Sequence, residues 1–189
     1  MFLDLGCGSK KFAQHTAETE FTVPRQDVIR SDFYGTDDID IKQDLEKFPY
    51  NFKNNEFDGV LLSHVYEHFK PYEGIKLLEE LHRITKPGAK IIIYCPHFSN
   101  PAGKAHLTHQ RLVGLGTLDN FLPESLEKYS NCSFEITEKK LILGSLWNKI
   151  FILNKLIGFL ITKYPVFSET YLATFIPIRE IKFVLKTVK

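Results

Sequence analysis

Apolar runs and the turns between them predict alternating strands and a helix along the first half of the chain. The run Phe2–Leu5 ends at Gly6-Cys7-Gly8, which predicts a buried strand entering a tight turn. Residues 75–84 place apolar side chains at helical spacing, between Pro71 and Pro87. Four further strands are predicted, at Asp27–Phe33, Ile39–Gln43, Phe57–Ser63 and Ala89–Cys95. Strands that alternate with a helix or long connections indicate a parallel α/β sheet.

The second half predicts an antiparallel strand pair with a long insert. Apolar and polar residues alternate over Ser133–Leu143 and Glu180–Val188, as in the two arms of a strand pair. Residues 98–116 are rich in His, Gly and Asn and predict a loop that leads into a short helix. Residues 145–176 between the arms are strongly apolar and predict two helices packed on the sheet or over its mouth.

This insert has three interpretations: hydrophobic core, a lid over the substrate, or an anchor on a membrane surface. Polar residues interrupt it too often for a transmembrane span, which needs about 20 mostly apolar residues. Lys149, Lys155 and Lys163 would face lipid headgroups in the anchor interpretation, which involves residues 145–163. We favour core plus lid, which predicts that four side chains are largely buried against the sheet or in a homodimer contact: Trp147, Phe151, Leu156 and Phe159.

Composition narrows the class of protein. With 189 residues, 43% of them hydrophobic, we expect one domain over residues 1–189. A net charge of +1 disfavours a constitutive nucleic-acid binder. Three cysteines without a CxxC pair give no disulfide framework and no zinc site, and the N-terminus lacks a basic region of the signal-peptide type. We therefore expect a cytoplasmic protein, and a monomer or a homodimer.

The glycine turn after the first strand is a candidate cofactor site. Gly6 and Gly8 allow a ligand to approach the backbone closely because neither has a Cβ. The dinucleotide fingerprint needs a third glycine where Lys11 stands, so NAD and FAD are disfavoured. Asp32 ends the second predicted strand, where a carboxylate can accept both ribose hydroxyls. Asp44 ends the third, where a carboxylate can accept from an exocyclic amine.

The order of these motifs resembles the class I S-adenosylmethionine-dependent methyltransferases, and in particular their small branch related to methyltransferase type 11. The resemblance covers about residues 1–97 and rests on Leu3-Asp4-Leu5-Gly6-Cys7-Gly8, Asp32, Gln43-Asp44-Leu45, Phe48-Pro49-Tyr50, Asn55-Glu56-Phe57-Asp58, Ser63-His64-Val65-Tyr66-Glu67-His68 and Arg83-Ile84-Thr85-Lys86-Pro87-Gly88. The small branch is indicated by Pro96-His97, Thr108-His109 and Arg179-Glu180-Ile181.

The resemblance implies a Rossmann-like α/β fold, with a mostly parallel seven-stranded sheet, an antiparallel last strand and a helical insert before that strand. It also implies S-adenosylmethionine as the cofactor. Asp4, Gly6 and Gly8, with Cys7 between the glycines, would line its amino-acid end. Asp32 would hold the ribose. The remaining contacts would be Asp44 and Leu45 at the adenine edge and Ser63 beside the methionine moiety.

Histidines near the predicted strand ends are candidates for catalysis and acceptor binding. His64 and His97 are the candidate general bases, needed only if the acceptor has a high pKa. We assign three others to the acceptor: His68, His106 and His109. The segment His64–His68 also fits H-x-x-E-H, a zinc-protease signature with two histidines on one helical face. It directly follows a buried strand without an evident long helix, so we expect no metal there.

These observations predict an S-adenosylmethionine-dependent methyltransferase that acts on a small-molecule or glycan- or lipid-linked acceptor. Two alternatives stay open. The chain could bind S-adenosylmethionine without catalysis, or it could be a zinc hydrolase that uses the H-x-x-E-H segment. Metal content distinguishes the zinc hydrolase, and turnover of labelled cofactor distinguishes the binding module.

Overall fold

A seven-stranded sheet organises the protein. The computed structural model describes residues 1–9, 14–34, 38–144 and 151–189, with the backbone alone for residues 151–156. The strands are β1 (Phe2–Leu5), β2 (Val28–Asp32), β3 (Ile41–Lys42), β4 (Phe57–Ser63), β5 (Thr85–Pro96), β6 (Ser133–Leu143) and β7 (Ile178–Val188). Their order is β3-β2-β1-β4-β5-β7-β6. β1 to β5 are parallel, and β7 is antiparallel to β5 and β6. The predicted fold class is confirmed.

The strand order fixes where a ligand can bind. β1 lies between β2 and β4, and Leu3 is in register with Ile29 on one side and Val60 on the other. The chain builds outward from β1 first in one direction and then, from β4, in the other. Open α/β sheets bind ligands at such a reversal, outside the carboxyl ends of the strands.

Short helices and turns connect the strands. The helices are α1 (Ala17–Phe21), α2 (Pro71–Ile84), α3 (Pro101–Ala105), α4 (Phe151–Lys163) and α5 (Pro165–Phe167), with a π-helical turn at Ser168–Leu172 and 3-10 turns at Arg25–Asp27, Tyr66–His68 and Asp119–Phe121. Pro71 begins α2, where its missing amide hydrogen costs no helical bond. The Glu73 carboxylate accepts from the Lys70 amide at 3.2 Å, which caps the helix start.

The two faces of the sheet are covered unequally. Val60 and Leu62 of β4 point to the face that packs against α2, whose Leu77, Leu78 and Leu81 are fully buried. Leu61 points to the opposite face, where it packs in a smaller cluster with Ala17 of α1 and other residues. This alternation follows from the two-residue repeat of a strand. The main core therefore lies on the α2 side.

Two strand boundaries differ from the predicted ones. β5 begins at Thr85 rather than Ala89, because Gly88 takes a φ of +75° and the pairing with β4 shifts register between Phe57 and Gly59. A Pro-Gly pair can thus lie inside a strand at an irregularity. β3 is only two residues long, at Ile41–Lys42. The predicted strand pair of residues 133–143 and 180–188 is confirmed, with β7 beginning earlier, at Ile178.

The insert contains the predicted helices, but one of its side chains does not pack on the sheet. Ile157 and Ile161 of α4 are buried, whereas Phe159 is 56% exposed in the single chain, so Phe159 is not buried against the sheet. Its burial in a homodimer contact stays a prediction. Two residues along a helix correspond to a rotation of about 200°, which turns Phe159 away from the face that Ile157 and Ile161 share. The other predicted positions, Trp147, Lys149 and the side chains of Phe151, Lys155 and Leu156, lie outside the described residues. None of the helices described is both long and apolar enough to cross a membrane.

Candidate functional site

A cavity of about 960 Å³ opens at the carboxyl ends of β1, β2 and β4. Small-molecule sites in proteins have volumes of about 300–1,000 Å³, so this cavity has room for a cofactor together with part of a second ligand. Its lining includes eight of the residues predicted from the sequence: Gly6, Cys7, Gly8, Asp32, Asp44, Ser63, His64 and His68. Five others lie outside the lining: Asp4, Leu45, His97, His106 and His109.

The glycine turn forms the floor of the cavity next to β1. The amides of Gly6 and Cys7 both donate to the Ser31 carbonyl, at 2.7 and 3.2 Å. Gly6 has a φ of +73°, and a Cβ there would lie 2.4 Å from Cγ2 of Val65. Gly8 has a φ of +57°, but among the described residues, apart from its chain neighbours, no heavy atom lies within 4 Å of where its Cβ would be. Gly6 is thus required by packing, whereas Gly8 leaves open space.

Cys7 lies between these glycines and contributes an uncharged thiol. Burial raises the pKa of Cys7 to about 12, and the nearby Asp4 and Asp32 carboxylates act in the same direction. The nucleophilic form of cysteine is the thiolate, which is scarce at neutral pH when the pKa is this high. Cys7 is therefore part of the cavity wall and not a nucleophile.

The Asp32 carboxylate is fixed by two backbone amides. Its Oδ2 accepts from the Gly8 amide at 2.8 Å and its Oδ1 accepts from the Tyr34 amide at 2.9 Å. The residue is 9% exposed and lines the cavity. Each carboxylate oxygen can accept two hydrogen bonds, so the contacts within the described part of the chain leave each oxygen one acceptor position for a ligand hydroxyl.

Asp4 connects α1 to β1 and does not line the cavity. It is 2% exposed, and its Oδ2 accepts from the Ala17 amide at 3.0 Å, which fixes the start of α1 against β1. Its Oδ1 has no hydrogen-bond partner among the described residues. Burial raises the pKa of Asp4 to about 6, against the smaller opposing effects of the Ala17 hydrogen bond and of Arg30.

Asp44 and Leu45 are neighbours in sequence with different roles. Asp44 lines the cavity; its Oδ1 accepts from the Glu46 amide at 3.1 Å, and its Oδ2 lies 3.2 Å from Nζ of Lys47. Leu45 packs against the core, and its carbonyl accepts from the Tyr50 hydroxyl at 2.8 Å. Only Asp44 therefore offers a side chain to a ligand.

Sequence reasoning missed nine residues that line the cavity: Ser9, Gln14, His15, Phe33, Tyr34, Glu46, Val65, Phe69 and Thr108. Phe33 and Tyr34 directly follow Asp32 and are 46% and 78% exposed, which leaves aromatic faces free for a flat ligand. His15 stacks on Tyr94 with ring centroids 3.6 Å apart. Exposed aromatic residues next to a candidate ribose-binding acid were the available signal for the first pair. The residues before α1 lacked any pattern.

His64 lies between two buried carboxylates. Its Nδ1 is 3.3 Å from Oε1 of Glu67, and its Nε2 is 3.7 Å from Oε1 of Glu180. Burial alone would lower the pKa of His64, but the two carboxylates outweigh it and raise the pKa to about 9. At neutral pH this imidazole is positively charged, and its two nitrogens face the two carboxylates. Glu180 was noted in the sequence only as part of the Arg179-Glu180-Ile181 motif.

His97 does not reach the cavity. It is 1% exposed, with Nδ1 2.8 Å from the Ser99 hydroxyl and Nε2 3.1 Å from Oε1 of Glu169. The same Glu169 oxygen accepts from the Leu115 amide at 2.6 Å. His97 therefore connects the end of β5 to the π-helical turn of the insert, and its side chain is occupied on both nitrogens.

His68, His106 and His109 form a cluster at the cavity rim. The ring centroid of His109 lies 4.8 Å from that of His68 and 4.4 Å from that of His106. The Thr108 hydroxyl lies 2.9 Å from Nδ1 of His68 and 3.1 Å from Nδ1 of His106. Of the three histidines only His68 lines the cavity, together with Thr108.

The arrangement of a zinc protease is not present in the H-x-x-E-H segment. That arrangement needs two histidines one turn apart on a continuous α-helix. Here His64 has a φ of +56°, and only Tyr66–His68 form a 3-10 turn. The zinc-hydrolase alternative is therefore not favoured by the geometry.

Comparison with known proteins agrees with this geometry. A family described as "Methyltransferase domain" matches residues 3–93. Among solved structures, a SAM dependent methyltransferase from Archaeoglobus fulgidus is 19% identical, with a TM-score of 0.60 over 98% of this chain and 85% of that chain. An S-adenosylmethionine dependent methyltransferase from Mesorhizobium loti is 16% identical, with a TM-score of 0.57 over 98% of this chain and 90% of that chain.

A third similar structure is the N-methyltransferase NodS from Bradyrhizobium japonicum WM9, solved in complex with S-adenosyl-L-homocysteine. It is 12% identical, with a TM-score of 0.55 over 100% of this chain and 78% of that chain. No curated protein matches the sequence. Residues 3–93 thus match a methyltransferase domain, and the chain shares the fold of these S-adenosylmethionine-dependent methyltransferases.

Proposed function

We propose that the cavity binds S-adenosylmethionine and that the chain transfers its methyl group to a small-molecule or glycan- or lipid-linked acceptor. The observation that carries this proposal is the pair formed by the Gly8 amide and the Asp32 carboxylate, 2.8 Å apart in the wall of the cavity. A glycine-containing turn that a ligand can approach closely, next to a fixed carboxylate, suits a nucleoside with free ribose hydroxyls.

The residues present fit this cofactor along its length. Gly8 leaves open space for close approach of the amino-acid end, and the free acceptor positions of Asp32 suit the two ribose hydroxyls. Asp44, Phe33 and Tyr34 supply a carboxylate and aromatic faces for the adenine. When bound, the cofactor supplies a methyl group on a positively charged sulfur.

His64 is the residue to which we assign the orientation of the acceptor's attacking atom. It lines the same cavity as His68 and Thr108, and Glu67 and Glu180 hold its ring on both sides. Methyl transfer requires the attacking atom in line with the methyl group, so orientation supplies much of the rate. A charged imidazole in the cavity wall attracts and orients an acceptor oxygen by its positive charge.

Isothermal titration with S-adenosylhomocysteine tests the cofactor assignment. We expect wild type to bind, and Asp32→Ala to weaken binding by roughly 1.5–3 kcal/mol, because charge-assisted hydrogen bonds to the ribose are lost. Asp27→Ala removes an exposed acid outside the cavity and is the matched control. Unchanged affinity in Asp32→Ala would refute the assignment. Turnover of methyl-labelled cofactor then distinguishes catalysis from binding alone.

The proposal also includes a cytoplasmic location and an acceptor attached to lipid. Cys7, Cys95 and Cys132 are all free thiols, which supports a reducing compartment such as the cytoplasm. Residues 159–175 expose several large apolar side chains, which supports an acceptor attached to lipid. The proposed enzyme works as one domain, as a monomer or a homodimer.

A further inference from the structure

The buried carboxylate of Glu67 lies beside two histidines at the cavity rim, and its Oε1 is 3.3 Å from Nδ1 of the charged His64. Glu67 is 1% exposed, and neither of its carboxylate oxygens has a nitrogen or oxygen donor in hydrogen-bonding geometry among the described residues. The thiol of Cys95, a weak donor, interacts with the same carboxylate. A carboxylate that accepts no hydrogen bond from nitrogen or oxygen costs free energy when it is buried. The single charge of His64 only partly offsets this cost, because Glu67 and Glu180 share it.

Two imidazole rings are oriented so that their second nitrogens can serve as ligands. Nδ1 of His109 lies 2.7 Å from the Gly103 carbonyl, which can only accept, so Nδ1 carries the hydrogen. The other nitrogen, Nε2, then presents a lone pair 3.9 Å from Oε1 of Glu67. Nδ1 of His68 lies 2.9 Å from the Thr108 hydroxyl. When this hydroxyl accepts from Nδ1, Nε2 of His68 is free to bind a metal. Metal-binding histidines in proteins are held in this way by a second-layer acceptor.

We propose that Glu67, His68 and His109 bind a divalent transition-metal ion at the rim of the cofactor cavity. One ligand atom from each residue lies within 4.8 Å of the others. Ligands at about 2.0–2.2 Å from zinc lie closer together than this, so the three side chains move inward by about 1 Å on binding. This set of ligands differs from the H-x-x-E-H arrangement, because His109 replaces His64.

The ion would have positions left for an acceptor. Two histidines and one glutamate leave at least one coordination position open, as in catalytic zinc sites. His68 and Thr108 line the cavity, so an open position on that side faces the proposed cofactor site. If the proposed function holds, the ion binds an acceptor oxygen beside the methyl group. Hydroxyl-bearing acceptors are then the favoured class.

Titration of the metal-free full-length protein with Zn²⁺ tests this site directly. We expect one ion per chain with a dissociation constant in the micromolar range or tighter. Glu67→Gln, His68→Ala and His109→Ala should each weaken binding at least 10-fold. His106→Ala removes the third ring of the same cluster, and His82→Ala removes a histidine bonded to the Val188 carbonyl away from the cluster. Both controls should bind as wild type does.

The outcomes separate this inference from the proposed function. Absence of stoichiometric binding, or an equal loss in His106→Ala, would overturn the assigned ligand set. S-adenosylhomocysteine affinity, measured on the same samples, reports whether each variant is folded. It also tests the cofactor site independently of zinc. His109→Ala, a partly exposed position, provides the test if Glu67→Gln does not fold. Replacement by Co²⁺ should give visible absorption of a four- or five-coordinate ion, which an unspecific surface site would not.

Discussion

The amide of Gly8 donates a 2.8 Å hydrogen bond to Oδ2 of Asp32, so the turn after β1 is connected directly to the end of β2. These residues are 24 positions apart in sequence. The bond holds the turn and the carboxylate in one geometry before any ligand arrives. A ligand that uses both therefore does not have to order either of them, which reduces the entropic cost of binding.

The two glycines of this turn predict different effects of the same substitution. Gly6→Ala should lower the free energy of unfolding by about 2–4 kcal/mol, because the new methyl group meets Val65 and the left-handed backbone is strained. Gly8→Ala should cost only about 1–2 kcal/mol of stability, since there is open space, but should weaken S-adenosylhomocysteine binding. Urea unfolding and calorimetry measure the two effects. Equal destabilisation by both variants would contradict this distinction.

We expect different outcomes when His64 and His97 are each replaced by asparagine: a loss of activity for His64 and a loss of stability for His97. His64→Asn should lower kcat on the order of 100-fold with little change in cofactor affinity, because the acceptor loses its orienting contact. His97→Asn should instead lower the free energy of unfolding by about 1–3 kcal/mol, since the bonds to Ser99 and Glu169 are disturbed.

Labelled-cofactor turnover and urea unfolding of the two histidine variants provide the comparison. If His97→Asn reduced kcat as strongly as His64→Asn while remaining equally stable, the separation of their roles would be wrong. Full activity of His64→Asn would leave the remaining cavity residues to position the acceptor.

Asp4 predicts a specific dependence of stability on pH. Its pKa is about 6 in the folded protein, against a reference value of 3.8, so the folded state binds this proton more tightly than the unfolded state does. The contribution of Asp4 to stability is therefore present below about pH 4 and is lost as the pH rises through 6. Asp4→Asn cannot ionise, and its side-chain oxygen can still accept from Ala17.

Urea unfolding of wild type and Asp4→Asn at pH 4.5 and 7.5 tests this. The stability of the variant relative to wild type should rise by about 2 kcal/mol between these pH values. The full pKa difference is equivalent to about 3 kcal/mol, but part of it is already lost at pH 4.5, which is above the reference pKa of 3.8. A relative stability that stayed constant or fell with pH would show that Asp4 is not the ionising group.

The exposed side chains of the insert predict binding to lipid surfaces. Among the described residues the large ones are Phe159, Tyr164, Val166, Phe167, Tyr171 and Phe175. If they contact membrane, Phe167→Ser combined with Phe175→Ser should reduce cosedimentation with anionic vesicles roughly 10-fold or more, because each loses apolar area that lipid would bury. Leu126→Ser, at a fully exposed position in another loop, is the control. Equal binding by wild type and the double variant would assign this face to something other than lipid.

The limits of a strand were predictable where polar residues flank an apolar run on both sides. The predicted strand at Phe57–Ser63 has the same limits in the structure, because its buried positions and flanking polar residues are both local signals. The start of β5 was not predictable, since Pro87-Gly88 is also the usual signal of a turn. Only the shifted pairing with β4 allows the strand to continue there.

The side-chain directions of the histidines were less predictable than their positions. The sequence indicated correctly that His97 follows β5, but its partner Glu169 is 72 residues away and belongs to the insert. Nothing local to His97 says that its ring points into the protein. His64 could be placed at the cavity because strand ends in this type of sheet meet there, whereas its two carboxylate neighbours come from separate segments.

Glu169 makes the insert a difficult part to exchange. One of its oxygens accepts from the Leu115 amide and lies 3.1 Å from Nε2 of His97. The insert between β6 and β7 therefore completes the hydrogen bonding of the loop that follows β5. A shortened or transplanted insert without this carboxylate would leave a buried amide and imidazole unsatisfied. Chimaeras designed to alter acceptor choice should therefore carry Glu169 with the insert, or replace His97 and the Leu115 loop at the same time.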